Sequence, residues 1–99
     1  MKELVRGAVR LHVLHHAAEA EVHGAWLAEE LARHGYRISP GSLYPTLHRM
    51  EAEGLVRSRR PVVDGRVRRV YTATAKGRRE LEAARRQLQE LADEVLGPR

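Results

Sequence analysis

The chain has no cysteine and no phenylalanine, and its 99 residues include one tryptophan and three tyrosines. Without cysteine there can be no disulfide, no thiolate metal site and no cysteine nucleophile. No apolar run approaches 18 residues, so no segment is a candidate for a membrane-spanning helix. The opening stretch MKELVRGAVRLHVLHH is interrupted by Arg6, Arg10 and His12 and has no secretory pattern. Also missing are a glycine-rich phosphate loop, a nucleophile elbow and paired carboxylates in an aromatic setting. The hydroxyls of Ser39, Ser42, Thr46, Ser58, Thr72 and Thr74 all have capping, strand or contact explanations. No catalytic residue, metal ligand or cofactor is assigned, and the chain is read as a non-enzyme. A cytoplasmic location is expected.

A chain of 99 residues is expected to form one domain with a modest core. Lacking phenylalanine, that core must be mostly aliphatic. Domains of this size often gain stability by pairing with a second copy. The net charge of +5 is unevenly placed. Between Leu55 and Tyr71 stand Arg57, Arg59, Arg60, Arg66, Arg68 and Arg69 against Asp64 alone, a local excess equal to that of the whole chain. Such a segment suits a polyanion.

Periodicity predicts helix, helix, helix, hairpin, helix, with no repeat or linker. The first helix runs from Lys2 to Ala18. Leu4, Ala8, Leu11 and His15 mark one side, and Val5, Val9, Val13 and His16 a neighbouring one. In GAWLAEELARHG, Leu27 and Leu31 pair at i, i+4 and Gly35 is the stop. Ser39 is a candidate cap and Pro40 suits a first turn. Gly54 ends the third helix, and Pro45 argues for a regular start nearer Ser42. LVRSRRPVV and RVRRVYTA, joined at Asp64-Gly65, read as a β-hairpin. Thr74 caps the last helix, and Gly97-Pro98 ends it. Its Leu81, Ala84, Leu88, Leu91 and Val95 are spaced 3, 4, 3, 4, a seam that asks for a partner helix.

The fold class is therefore mainly α with a small β-hairpin (α+β): a winged helix-turn-helix followed by a long C-terminal dimerisation helix. Residues 1–73 are assigned to DNA binding, the first helix also serving the dimer. Residues 74–99 form the dimerisation helix of the same compact unit. In such a motif the second helix enters the major groove. Leu43, Leu47 and Met50 form the inward stripe of that helix; the opposite side holds Gly41, Ser42, Pro45, His48, Arg49 and Ala52. Ser39 and Ser42 suit phosphates at a helix start, while His48 and Arg49 suit base edges. Glu51 and Glu53 should point past the groove. Arg66 and Arg68, alternating with Val67, should meet the DNA backbone or minor groove.

GSLYPTLHRMEAEGLVRS, DGRVRRVYTATAKGRREL and HGAWLAEEL resemble the PadR family of bacterial transcriptional regulators over nearly the whole chain. The family's leucine-tyrosine-proline core falls on Leu43, Tyr44 and Pro45, and its helix exit on Glu53, Gly54, Leu55 and Val56. The passage into the last helix falls on Tyr71, Thr74 and Gly77. The resemblance implies a homodimeric repressor of the short type, binding a palindromic operator in double-stranded DNA. It adds Tyr44 to the DNA-binding candidates, and it implies a dimer built from the first and last helices, through Leu4, Ala8, Leu11, Leu81, Ala84, Leu88, Leu91 and Val95. Some members release DNA on binding phenolic acids or hydrophobic drugs, so a small hydrophobic or phenolic effector is a candidate partner. The chain departs from the family at Ala25, where tyrosine is usual, and at Ala73. Its last helix has no aromatic residue to sandwich a flat drug.

Rival readings are a nucleoid-type DNA binder without sequence preference, a winged-helix module for protein or RNA, and a basic coiled-coil dimeriser. His12, His15 and His16 are spaced for a metal site, but no third ligand is evident, and half-buried or interfacial histidines are the simpler reading. The same cluster is a candidate for a pH-sensitive dimer.

Overall fold

Four helices and five short strands follow one another in the computed structural model, which describes residues 2–97. They are α1 (Lys2–Glu19), β1 (Val22–His23), α2 (Gly24–Arg33), α3 (Pro40–Ala52), β2 (Val56–Arg59), β3 (Val62–Val63), β4 (Arg66–Val67), β5 (Val70–Ala73) and α4 (Ala75–Leu96). Pro98, expected to help end α4, lies outside the described residues.

The helix stops are built as their glycines suggest. Gly35 (φ 90°) and Gly54 (φ 79°) take the left-handed conformation that L side chains resist. After α2, Gly35 N–H bonds the Ala32 carbonyl (3.0 Å) and Tyr36 N–H the Leu31 carbonyl (2.8 Å). After α3, Gly54 N–H bonds Glu51 and Leu55 N–H bonds Met50, both at 2.9 Å. Both are Schellman closures, which satisfy the last carbonyls and turn the chain sharply.

Two details differ from the sequence reading of α3. The helix starts at Pro40, not nearer Ser42, so Pro45 lies in its second turn. The missing N–H of Pro45 leaves the Gly41 carbonyl without its i+4 donor. Gly41 is exposed, so that carbonyl lies at the solvent rather than in the core. Ser39 is the N-cap residue, but its side chain makes no capping bond. Its backbone carbonyl instead accepts from Ser42 (2.9 Å) and Leu43 (2.8 Å).

The hairpin keeps one register from stem to tip. Val56 faces Ala73, Arg59 faces Val70, Val62 faces Val67 and Val63 faces Arg66. Asp64 (φ 51°) and Gly65 (φ 75°) form the turn, both left-handed as a two-residue hairpin turn requires. Between stem and tip the ladder thins: Arg68 N–H bonds the Pro61 carbonyl (3.0 Å), but Pro61 has no N–H to return. The sequence pattern does not reveal β1, which pairs antiparallel to β5 through Val22–Tyr71 and His23–Val70 and makes the stem three-stranded in the order β1-β5-β2. Two residues are too few to show an alternating pattern.

Val9, Val13, Leu14 and Ala17 of α1, Leu27 and Leu31 of α2, and Leu43, Leu47 and Met50 of α3 meet Leu55, Val56, Tyr71 and Leu81 in one core, aliphatic but for Tyr71. Thr74 locks the entry to α4. Its Oγ1 accepts from Gly77 N–H (3.0 Å) and donates to the Gly54 carbonyl (2.5 Å), while its N–H bonds the Leu55 carbonyl (3.1 Å). The far half of α4 projects, and the chain measures 52 × 28 × 22 Å. Its radius of gyration is 14.5 Å, against about 13 Å for a compact chain of this length.

A Cβ on Gly77 would lie 2.0 Å from the Leu55 carbonyl oxygen, backbone against backbone. Gly77→Ala should therefore destabilise the fold by about 1–3 kcal/mol. Gly41→Ala, whose added methyl meets only Ser39 Oγ at 3.7 Å, should lose no stability. Urea unfolding of both variants checks the contrast.

Candidate nucleic-acid interface

Leu43, Leu47 and Met50 are buried, which fixes the rotation of α3 and turns Ser42, Pro45, His48, Arg49 and Ala52 outward, away from the core. An interior proline costs a helix about 3 kcal/mol. Pro45 carries that burden on the exposed face, where it adds nothing to the core. Arg49 extends along the helix toward Thr46 Oγ1 (3.4 Å), and Ser39 Oγ reaches Ser42 Oγ (3.4 Å). Tyr44 is only partly outward. Its ring lies over Gly24, where an added Cβ would come within 2.8 Å of the Tyr44 ring and hydroxyl. Gly24 is thus what lets α3 dock on the start of α2, a requirement that neither segment reveals alone.

The two acids in the last turn of α3 are both engaged. Glu51 accepts from Ser58 N–H (3.0 Å) and from Ser58 Oγ (2.8 Å), bonds that hold its carboxyl below the usual carboxylate range. Glu53 accepts from Arg10 Nη2 (2.6 Å), which lowers its carboxyl in the same way. The first clamp ties α3 to the hairpin stem, and the second ties it to α1. Neither is legible from spacing, since the partners lie 7 and 43 positions away.

The six hairpin arginines separate into two groups. Arg59 Nη2 donates to Glu21 (2.6 Å), fastening the stem to the segment before β1. Arg69 is half-buried and turns back toward His48. The side chains of Arg57, Arg60, Arg66 and Arg68 are exposed, with no ion pair or hydrogen bond among the described residues. Arg66 and Arg68 flank Val67 near the tip. A basic arm thus stands beside the outward face of α3.

A trough of about 830 Å³ opens between the start of α1 and α3. Val5, Val9, Ile38 and Pro45 give it apolar walls, and Arg6, Arg37 and Arg49 stand among its lining; no acidic residue does. On another side of α1, Ala8, Leu11, His12 and His15 meet Leu81, Arg85 and Leu88 of α4 across a second groove. Of the residues assigned to a dimer, Leu81 is covered by its own chain, while Ala8, Leu11 and Ala84 are half-buried. Leu4 (54%), Leu88 (46%), Leu91 (48%) and Val95 (69%) are exposed. Nothing in the described chain covers the far half of the α4 stripe.

Four of the six histidines, His12, His15, His16 and His34, gather where α1 crosses α2. His12 lies 4.9 Å from His34 and 5.3 Å from Tyr36 between ring centres, and His16 lies edge-on to Trp26 at 5.1 Å. Glu30 faces His16 (3.4 Å) and His34 (3.2 Å), and Arg85 donates to His15 Nδ1 (3.2 Å). Burial, and then the neighbouring histidines, lower the His12 pKa; the His16 pKa is lowered in the same way, with Glu30 opposing both shifts. Spacing alone overlooks Glu19 as a third metal-type ligand. With His15 and His16 it makes a trio of ligand atoms all within 4.8 Å, though Glu19 is exposed, as such acids commonly are without an ion.

A helix pair that presents a polar recognition face, next to a basic hairpin, defines a winged helix-turn-helix protein. Residues 13–83 match the PadR-like family of transcriptional regulators, and the chain belongs to that family. It is 68% identical to the transcriptional regulator Rv3488 of Mycobacterium tuberculosis over 97 residues, 98% of this chain and 91% of that one. The solved PadR-like regulator BC4206 of Bacillus cereus superposes with a TM-score of 0.85 at 29% identity, covering 94% of this chain and 92% of that one. PadR of Bacillus subtilis, solved in complex with operator DNA, superposes with a TM-score of 0.67 at 19% identity, covering 75% and 44%; this likeness carries the fold alone. The family is one of regulators, not enzymes.

Because His12 and His16 have lowered pKa values in the fold, the unfolded chain takes up protons first as pH falls. Their contribution to stability is full above about pH 6.5, the ordinary histidine value, and is lost as pH falls through the folded values. Melting temperature should fall from about pH 7 to 5, and the decline should be shallower in His12→Gln/His16→Gln. An identical decline in both chains would contradict this.

Proposed function

We propose that the chain is a homodimeric, sequence-specific DNA-binding repressor, with α3 in the major groove of each half of a palindromic operator and the β2–β5 hairpin on the flanking backbone. The observation that carries this reading is the outward, acid-free face Ser42, Pro45, His48 and Arg49, set beside the four exposed hairpin arginines. Ser39 and Ser42 then serve phosphates at the start of α3, and His48 and Arg49 serve base edges. Tyr44 contributes by its exposed edge while its ring seats the helix. The 68% identity to the transcriptional regulator Rv3488 supports the regulatory part of this reading. In this reading residues 1–73 bind DNA, residues 74–99 serve dimerisation within the same unit, and the protein works in the cytoplasm.

The exposed stripe Leu88, Leu91 and Val95, which runs into the α1–α4 groove at Leu88, and the exposed Leu4 support the dimer. Two copies would cover it as an isologous pair. An effector, if it is small and hydrophobic or phenolic, has a place in the trough beside Ser42, Pro45 and Arg49, where binding would compete with DNA.

Competition binding against random DNA at matched salt tests the specific reading. Arg49→Ala should lose about 1–3 kcal/mol of discrimination between operator and random duplex. Arg66→Ala and Arg68→Ala should weaken both duplexes alike, and each should lower the salt slope by about one. Equal effects from all three would exchange or abolish the roles given to helix and hairpin. Equal wild-type affinity for operator and random DNA would favour a nucleoid-type binder. Leu88→Asp should yield monomers by sedimentation; a stable dimer of that variant would refute the α4 interface.

A further inference from the structure

Arg69 is the hairpin arginine that the DNA reading leaves without a task. It is half-buried at the seam between the hairpin and α3. Its Nη1 lies 3.4 Å from His48 Nε2. Its guanidinium also lies beside the Tyr71 phenol and near the Glu51 carboxylate. The Tyr71 hydroxyl is buried and meets no well-aligned hydrogen-bond partner among the described residues. Glu51 is itself clamped to Ser58. These groups surround the Arg69 guanidinium, which lies against the Nε2 side of the His48 ring.

The consequence for His48 follows from donor chemistry. A guanidinium has five N–H donors and no acceptor. In the contact between Arg69 and His48, Nε2 must therefore be the acceptor. A neutral imidazole with a lone pair on Nε2 carries its proton on Nδ1. His48 is exposed, and its Nδ1 has no partner among the described residues. The recognition helix thus presents a single N–H donor at this point. Guanine N7 and O6, adenine N7 and thymine O4 accept such a bond in the major groove, whereas cytosine offers only its amino donor there.

We propose that Arg69 is a positioning residue for base recognition: it fixes the Nδ1–H tautomer of His48, so that α3 selects an acceptor-bearing base edge and rejects cytosine at one position of each half-site. The hairpin thereby contributes to sequence reading without touching a base. This rests on the assignment of α3 to the major groove.

Selection of bound duplexes from a random pool, run in parallel with wild type, Arg69→Lys, Arg69→Gln, Arg69→Ala and His48→Ala, tests it. Lysine also only donates, so Arg69→Lys should keep the wild-type preference. Glutamine has a carbonyl that can accept from Nε2–H and release the other tautomer. Arg69→Gln and Arg69→Ala should lose about tenfold in discrimination against cytosine, at the same position that His48→Ala blurs, with the salt slope of binding unchanged. An unchanged preference together with a salt slope lowered by about one would make Arg69 a phosphate contact and overturn the proposal. A wild-type chain that enriches no sequence would overturn the DNA reading itself, and this inference with it. Where a variant fails to fold, long-range ¹H–¹⁵N spectra of the wild-type protein decide the matter. At a pH where His48 is neutral, an unprotonated Nε2 supports the proposal and a protonated Nε2 refutes it.

Discussion

The contact on which the arrangement depends is the meeting of Thr74 and Gly77 with the chain leaving α3. Gly54 turns left-handed there, and Thr74 takes the freed carbonyls of Gly54 and Leu55 as hydrogen-bond acceptors. Gly77 lets the first turn of α4 rest on the Leu55 carbonyl without a side chain between them. Lys76 adds a bond to the Glu53 carbonyl (2.7 Å). One knot of backbone therefore sets the direction of three elements: the end of α3, the start of the hairpin and the axis of α4. The proposed DNA-binding face and the proposed dimer stripe are thereby referred to one another, as a protein reading two half-sites at a set spacing requires.

Around that knot the acidic side chains act as fasteners. Glu51 holds Ser58, Glu53 holds Arg10 and Glu21 holds Arg59. These pairs are exposed or only partly buried, so each contributes modestly to stability. Their electrostatic effect matters more to the site, because each sets a carboxylate near an arginine or a backbone N–H rather than against a phosphate. The hairpin's own positive excess then rests on Arg57, Arg60, Arg66 and Arg68, beside Arg49 of α3.

Much of this is readable in the chain. The glycine stops at Gly35 and Gly54 and the Asp64-Gly65 turn are local chemistry, and local chemistry survives folding. The stripe Leu43, Leu47 and Met50 is periodic, so the outward face of α3 follows from it. What escapes is non-local or too short to have a pattern. Strand β1 has two residues and exists because Tyr71 and Val70 offer an edge. The packing of Tyr44 on Gly24 joins residues from separate helices, and the roles of Arg59 and Arg69 depend on partners 38 and 21 positions away. Six arginines in one window look equivalent because net charge carries no direction. Pro45 misleads as to the start of α3: the helix tolerates it in the second turn because the carbonyl it orphans lies at the solvent.

Amide hydrogen exchange of the protein with and without a selected operator duplex tests the central claim most directly. Protection on DNA binding should appear in the first two turns of α3 and in the hairpin from Arg57 to Arg69, with α4 unchanged. Protection confined to α4 and the α1–α4 groove, with α3 and the hairpin exchanging as in the free protein, would contradict the account.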